Sequence, residues 1–316
     1  MIRYALTRIL LLALGLLASS VLIFAALRVL PGDVAQMIAG ADGTAAQIAA
    51  IRSDLGLDRP VFAQYGDWIG GVLAGDLGSS LVTGSPAAEQ LALKARVTIP
   101  LGIFSLLIAL VIAIPLGILG AQRRDRASGA ALNVSAQLLA AVPVVWAGLM
   151  LVVVFAVGLD WLPAQGFPRA GWRDAGSALR ALVLPSLTIG VVEGALLMRF
   201  VRSATLSATG EDFVRTAAAK GLTRGQALVR HGLPAVGLSI ITVLGVQIAV
   251  IMVGAVVVEQ VFSLPGIGRM LVADVGARDL TMVQSELFVL TAFVLVTGFV
   301  VDLVHHAVDP RLRERA

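Results

Sequence analysis

A single acidic side chain interrupts each of two otherwise apolar runs: Glu193 within residues 181–198, and Asp302 within residues 287–308. Gln247 is a further polar group inside such a run. A charged side chain at the centre of a bilayer costs at least about 2.5–3.5 kcal/mol on insertion scales, so an intramembrane acid faces protein or a watery cavity. Two roles are open to Glu193. It can partner a hydroxyl or an Arg on another helix, or it can line a polar passage. Gln247 can line the same passage or join two helices. Asp302 stands near the end of its run, where a packing or interface acid is expected.

Other chemistries lack their residues. There is no Cys, which excludes disulfides, thiolate catalysis and Cys-ligated metals. No G-x-x-x-x-G-K-[ST] occurs, so the chain has no Walker-type nucleotide loop. Neither His-Glu-x-x-His nor G-x-S-x-G is present. The lone "GIG" at 266–268 reads as a turn. His305 and His306 are sequence neighbours, and neighbouring residues on a helix point different ways, so they make a poor metal pair. Ser135, Ser186 and Ser239 have no His in a recognisable constellation. No catalytic residue and no metal site can be named, and the chain is not expected to be an enzyme.

The elements that position these polar groups follow from composition. The 316 residues are 58% hydrophobic and 14% charged, with mean hydropathy +0.92. Soluble domains are about 45–50% apolar and about 25% charged. There is too little polar surface here to wrap so apolar a core, which points to an all-α integral membrane protein. The net charge of +4 is modest, and the pI of 10.3 reflects few charges rather than a nucleic-acid surface.

A helix needs about 20 apolar residues to cross the hydrocarbon core. Six runs qualify, at about 9–27, 97–121, 130–157, 181–200, 235–258 and 285–307. The first follows Arg3 and Arg8, as a signal peptide's apolar region would. It is longer than the usual run of about 7–15 residues, and "LRVLPGD" offers no small-residue cleavage site, so an uncleaved span is expected. Pro115 and Pro143 lie inside the second and third spans, where proline frees a carbonyl and kinks the rod. Gly102, Gly117 and Gly120 let helices approach closely.

Orientation follows from the Lys/Arg bias of short loops. With the N-terminus inside, the cytoplasmic pieces are residues 1–8, 122–126, 199–231 and 309–316. They hold fourteen Lys/Arg against five Asp/Glu, whereas the outside pieces hold ten against thirteen. Six spans return the C-terminus to the cytoplasm, in agreement. The first outside loop, about 28–96, is long. Within it Asp58 can cap a helix with Pro60 in its first turn. Phe62, Tyr65, Trp68, Ile69, Val72 and Leu73 then follow at helical spacing and give one apolar face. That face suits a helix lying on the membrane surface or docking a soluble partner outside.

Residues 211–234, "EDFVRTAAAKGLTRGQALVRHGLP", form a polar, basic connection between two spans. A few residues would have sufficed. Thr216, Ala217, Ala218 and Ala219 favour a helix with a small, close-packing face, Gly221 permits a sharp bend, and Leu233-Pro234 opens the next span. The pattern describes a rigid helix–turn–helix bracket at the inner membrane face, as a force-transmitting contact requires.

This segment resembles the "EAA" loop of bacterial ABC-importer permeases. That pattern runs Glu-Ala-Ala, three residues, Gly, nine residues, an aliphatic, one residue, Leu-Pro. Here Arg215 and Thr216 replace the Glu and first Ala, and His231 replaces the aliphatic. The resemblance extends over nearly the whole chain and is nearest to the dipeptide/oligopeptide (DppB/OppB-like) permeases. It is carried by "PGD" (31–33), "LGLDRP" (55–60), "QY" (64–65), "GDLGSS" (75–80), "LPSL" (184–187), "EDFVRTAAAKGLTR" (211–224), "VVVEQVFSLPGIGRML" (256–271) and "VDLVHHAVDPRLR" (301–313).

The resemblance implies a single permease domain over 1–316 in the bacterial cytoplasmic (inner) membrane, working by alternating access. It implies a second homologous permease, two ABC ATPase subunits that hold ATP and Mg, an extracytoplasmic substrate-binding protein, and no cofactor on this chain. Contact with the ATPase would fall to Glu211, Asp212, Arg215, Thr216, Ala217, Ala218, Lys220, Gly221, Leu222, Arg224, Leu233 and Pro234. Glu193 and Gln247 are the candidates for the translocation path, and Phe62, Tyr65 and Trp68 for the binding-protein contact. Peptides are the expected cargo. Nickel or a metallophore is the alternative within the same family, and an ATP-independent secondary transporter is the alternative outside it.

Overall fold

A computed structural model describes residues 2–29, 34–40, 42–54, 56–210, 216–217 and 219–308. All regular structure among them is helical, apart from an isolated bridge between Ser79 and Pro86. The elements are α1 (Ile2–Val29), α2 (Val34–Ala39), α3 (Ala45–Asp54), α4 (Val61–Leu73), α5 (Ala87–Gln122), α6 (Ala127–Ala140) and α7 (Val144–Leu151). They continue with α8 (Ala175–Gly210), α9 (Arg224–Ala227), α10 (Leu233–Val261), α11 (Ile267–Gly276) and α12 (Leu280–Val308). Five of these, α1, α5, α8, α10 and α12, are long and apolar enough to cross a membrane.

The third expected span is not one rod. A π-helical turn, Val152–Gly158, extends α7, but α6 and α7 meet at 99°. The break is at Ala141–Pro143. Proline has no N–H to give, and its ring drives the preceding residue out of the helical region. Pro143 itself is extended, at φ −60° and ψ 132°, and caps α7. Each arm has about 15 residues, or about 22 Å at 1.5 Å per residue, short of the roughly 30 Å hydrocarbon core. Pro100, Pro115 and Pro185, by contrast, are accommodated within continuous helices.

Helix α8 is the hub. It packs most extensively on α5, and also on α6, α7 and α10. Small residues make the α5–α8 contact close. A Cβ added at Gly190 would stand 2.7 Å from Ile108 Cβ, one at Gly117 2.7 Å from Val201 Cβ, and one at Gly194 3.2 Å from Ala109 Cα. These pairs rise together in number, so α5 and α8 run parallel. Leu101, Leu182, Leu184, Ile189, Ile251 and Phe262 fill the core at one end of this contact. Ala113, Leu197, Met198, Val201 and Val236 fill it towards the other. At 36 residues, α8 is about 54 Å long and reaches beyond a bilayer, to the edge of the 211–234 segment.

The loops sort to two ends. At one end Tyr4 stacks on His306 with ring centroids 4.0 Å apart, and Arg8 pairs with Asp302 at 2.9 Å. The beginning of α1 and the end of α12 are therefore neighbours, and Asp302 is an interhelical partner. The ends of α5 and α8 share this level, where Gly120 meets Arg202, and so does α9. The opposite end carries α4 and α11.

Candidate functional site

The 211–234 bracket is built from local signals. Glu211, Asp212, Arg215 and Ala218 lie outside the described residues. Thr216 and Ala217 are helical, and that helix ends at Lys220. Gly221 follows at φ +98°, a left-handed conformation that Gly adopts without penalty. The Leu222 N–H then reaches back to the Ala217 carbonyl at 3.3 Å, and Leu222 packs on Ala217 and Ala227. This is a Schellman-type stop, with its hydrogen bond and its apolar contact.

Thr223 starts the next helix. Its Oγ1 accepts from the Gln226 N–H at 3.2 Å, while Gln226 Oε1 accepts from the Thr223 N–H at 3.1 Å. That reciprocal pair is a capping box, T-x-x-Q, legible in the sequence but not singled out there. Arg224 begins α9, and a π-helical turn, Leu228–Gly232, leads into α10 at Leu233 with Pro234 in its first turn. Ala227 and Leu228 are buried, and Leu233 packs into the core beside Val236. Thr216, Lys220, Gly221, Thr223, Gln226, Val229 and Arg230 remain exposed. The bracket is thus fixed from beneath and open along its tip.

Glu193 and Gln247 meet each other. Gln247 Nε2 donates to Glu193 Oε2, joining α10 to α8. Both are buried, at 6% and 5% exposure. Of the two roles open to Gln247, the structure displays the helix-joining one, and Glu193 is its partner.

The three aromatic residues of the long loop do not form one external face. The N-cap of α4 is Pro60, so the cap expected at Asp58 lies two residues too early. Tyr65 hydrogen-bonds Ser20 at 2.8 Å and sits edge-on to Phe24. Trp68 packs on Phe24 and on Phe288, whose centroid is 5.6 Å away. Tyr65 therefore ties α4 to α1, and Trp68 ties it to α1 and α12, and both stay partly exposed. Phe62, at 90% exposure, is the one left open. The reason is angular: on a helix, residues 62 and 68 are about 120° apart, so one apolar stripe divides between two surfaces.

Two polar clamps at this end escaped the sequence reading. Thr98 Oγ1 donates to Glu259 Oε1 at 2.6 Å and accepts from the Ile267 N–H at 2.9 Å, while Glu259 Oε2 accepts from the Arg269 N–H at 3.1 Å. Glu259, wholly buried, thereby holds the first turn of α11. Gly266 and Gly268 of the "GIG" motif are close-approach positions: an added Cβ would overlap the Glu259 carboxylate or the Val256 backbone. In the second clamp, Asp279 accepts from Ser80 Oγ and from the N–H groups of Leu81, Val82 and Met282. Ser285 Oγ also donates to the Leu77 carbonyl. "GDLGSS" is thus docked on the start of α12.

Long apolar helices, a braced tip between two of them and a clamped loop layer at the opposite end describe a multi-pass membrane component. Comparison with known proteins agrees. Residues 113–314 match the family described as binding-protein-dependent transport system inner membrane component, and residues 1–87 match the N-terminal family of such membrane components. The glutathione transport system permease protein GsiC of Salmonella typhi is 35% identical over 313 residues, covering 99% of each chain. That of Escherichia coli strain K12 is 34% identical, again covering 99% of each. The chain therefore belongs to the inner-membrane permease family of binding-protein-dependent ABC transport systems.

Proposed function

We propose that this chain is one permease subunit of an ATP-driven importer of small peptides or peptide-like solutes. The full-length likeness to glutathione permeases carries the reading. All 316 residues act as one permease domain, with both termini in the cytoplasm and the 28–96 loop outside. A second permease completes the passage. Two ATPase subunits bind ATP and Mg, and this chain holds no cofactor. An extracytoplasmic binding protein delivers the solute.

The residues divide the work as follows. The exposed tip around Lys220–Thr223 takes up the movement of an ATPase subunit. Its Schellman stop and capping box keep the tip from yielding locally. The push passes into α8 on one side and α10 on the other, and the Glu193–Gln247 bond makes those two helices move as a unit. Alternating access follows when this pair tilts against the partner permease.

The test is to purify the chain with its co-expressed partners and identify the retained solute by mass spectrometry. A short peptide or glutathione-like thiol is expected. Recovery of nickel or a metallophore instead would overturn the cargo and leave the importer reading standing.

A further inference from the structure

A cavity of 420 Å³ opens at the loop-rich end, between the start of α5 and one face of α11. Gln90 and Lys94 line it from α5, one helical turn apart. Met270, Ala273, Asp274 and Ala277 line it from α11 at three- and four-residue spacing, which puts them on one face. The turn from Ser80 to Ser85 forms a third side. These walls are braced before anything binds: Ser80 is tied to Asp279, Thr98 holds the Ile267 N–H, and Glu259 holds the Arg269 N–H. Small-molecule pockets run from about 300 to 1,000 Å³, and walls that need no ordering bind at lower cost.

The cavity carries opposite charges at its two ends. Lys94 is half-buried, and its ammonium makes no hydrogen bond or contact ion pair among the described residues. Its charge reaches Glu259, but that carboxylate already holds Thr98 and the Arg269 N–H. Arg269 adds a second positive charge, with one nitrogen on the Ser263 carbonyl. Thr98 is one turn on from Lys94 and bonds the first residue of α11, so Lys94 and Arg269 share an end of the cavity. Asp274 supplies the negative charge, and its Oδ2 has no N–H or O–H donor among the described residues.

Arg269 and Asp274 are five residues apart on α11, about 7.5 Å along its axis. Two extended peptide residues span at most about 7 Å. We propose that this cavity is a binding site for a zwitterionic dipeptide, with the peptide carboxylate at Lys94 and Arg269 and the ammonium towards Asp274. The inference deepens the importer reading and rests on it for the kind of solute. A solute carrying only one of the two charges leaves the other end of the cavity unanswered.

Isothermal titration calorimetry tests the site on the full complex of permeases and ATPase subunits in lipid nanodiscs, without nucleotide or binding protein. The probe is alanyl-alanine, compared with its C-terminal amide and its N-acetyl derivative. The wild type should bind alanyl-alanine at least about tenfold more tightly than either derivative, since each lacks one charge-assisted contact. Lys94→Met should weaken alanyl-alanine about tenfold and abolish the preference over the amide. Asp274→Asn should do the same for the preference over the N-acetyl compound. The wild-type comparison of the three compounds reads both ends even if a variant fails to assemble. No binding of alanyl-alanine by the wild type, or equal binding of all three compounds, overturns the proposal. So do assembled variants that keep both preferences. A complex that retains no peptide on purification yet shows these preferences would overturn the cargo and leave the site standing.

Discussion

The carboxylate of Glu193 and the amide of Gln247 are 54 residues apart in sequence and bonded in the interior. This geometry predicts different results for two substitutions. Glu193→Gln keeps a carbonyl oxygen for the Gln247 N–H, so the melting temperature should change little. Glu193→Leu leaves that buried donor unmade, which costs about 1–3 kcal/mol. Thermal unfolding of both variants measures the difference, and equal melting temperatures would show the bond to be idle. At Gly221 the constraint is torsional, since nothing lies within 4 Å of an added Cβ. Gly221→Val should distort the bracket through φ alone, at about 1–2 kcal/mol for left-handed backbone. Membrane insertion should persist while co-purification of the ATPase subunits and transport fall together. Full transport by Gly221→Val would remove the bracket from the coupling pathway. Thr98→Val should destabilise the start of α11 by about 1–3 kcal/mol, since it leaves both Glu259 and the Ile267 N–H short of a partner.

Among the elements, α5 and α8 form the rigid pair and α6–α7 the bent one. The rigid pair depends on missing side chains. Gly190→Leu would drive a bulky group into Ile108 and the Ser105 carbonyl. Overpacking of this kind typically costs about 1–3 kcal/mol, and more where backbone must move. Yield of folded chain and melting temperature should both drop, whereas Gly237→Ala, with open space around it, should leave them unchanged. The bent pair owes its angle to Pro143, which stops α6 where the sequence pattern alone would have continued it.

For the whole molecule, the two ends carry different chemistry: a basic end with the start of α1, the end of α12 and α9, and a loop-rich end with α4 and α11. The chain has no Cys, so single cysteines report their side cleanly. Phe62→Cys should react with an impermeant thiol reagent applied to cells whose outer layers admit it. Lys220→Cys should react only after the membrane is opened. The reverse pattern would invert the proposed topology. Trp68→Cys, packed against Phe24 and Phe288, should label much more slowly than Phe62→Cys.

The hydrophobic runs of the sequence determined the membrane-helical class, because a 20-residue apolar stretch has few other ways to satisfy its backbone. Gly221 and Leu233-Pro234 likewise marked the bracket, since its turn and restart depend on residues within one or two helical turns. The 99° break, the inward turn of Tyr65 and Trp68, the Glu193–Gln247 bond and the clamps at Glu259 and Asp279 were decided in three dimensions. Each joins groups from distant parts of the chain, or depends on which neighbour a helix face meets. Periodicity identifies that a face is apolar, but the packing of the bundle selects what covers it.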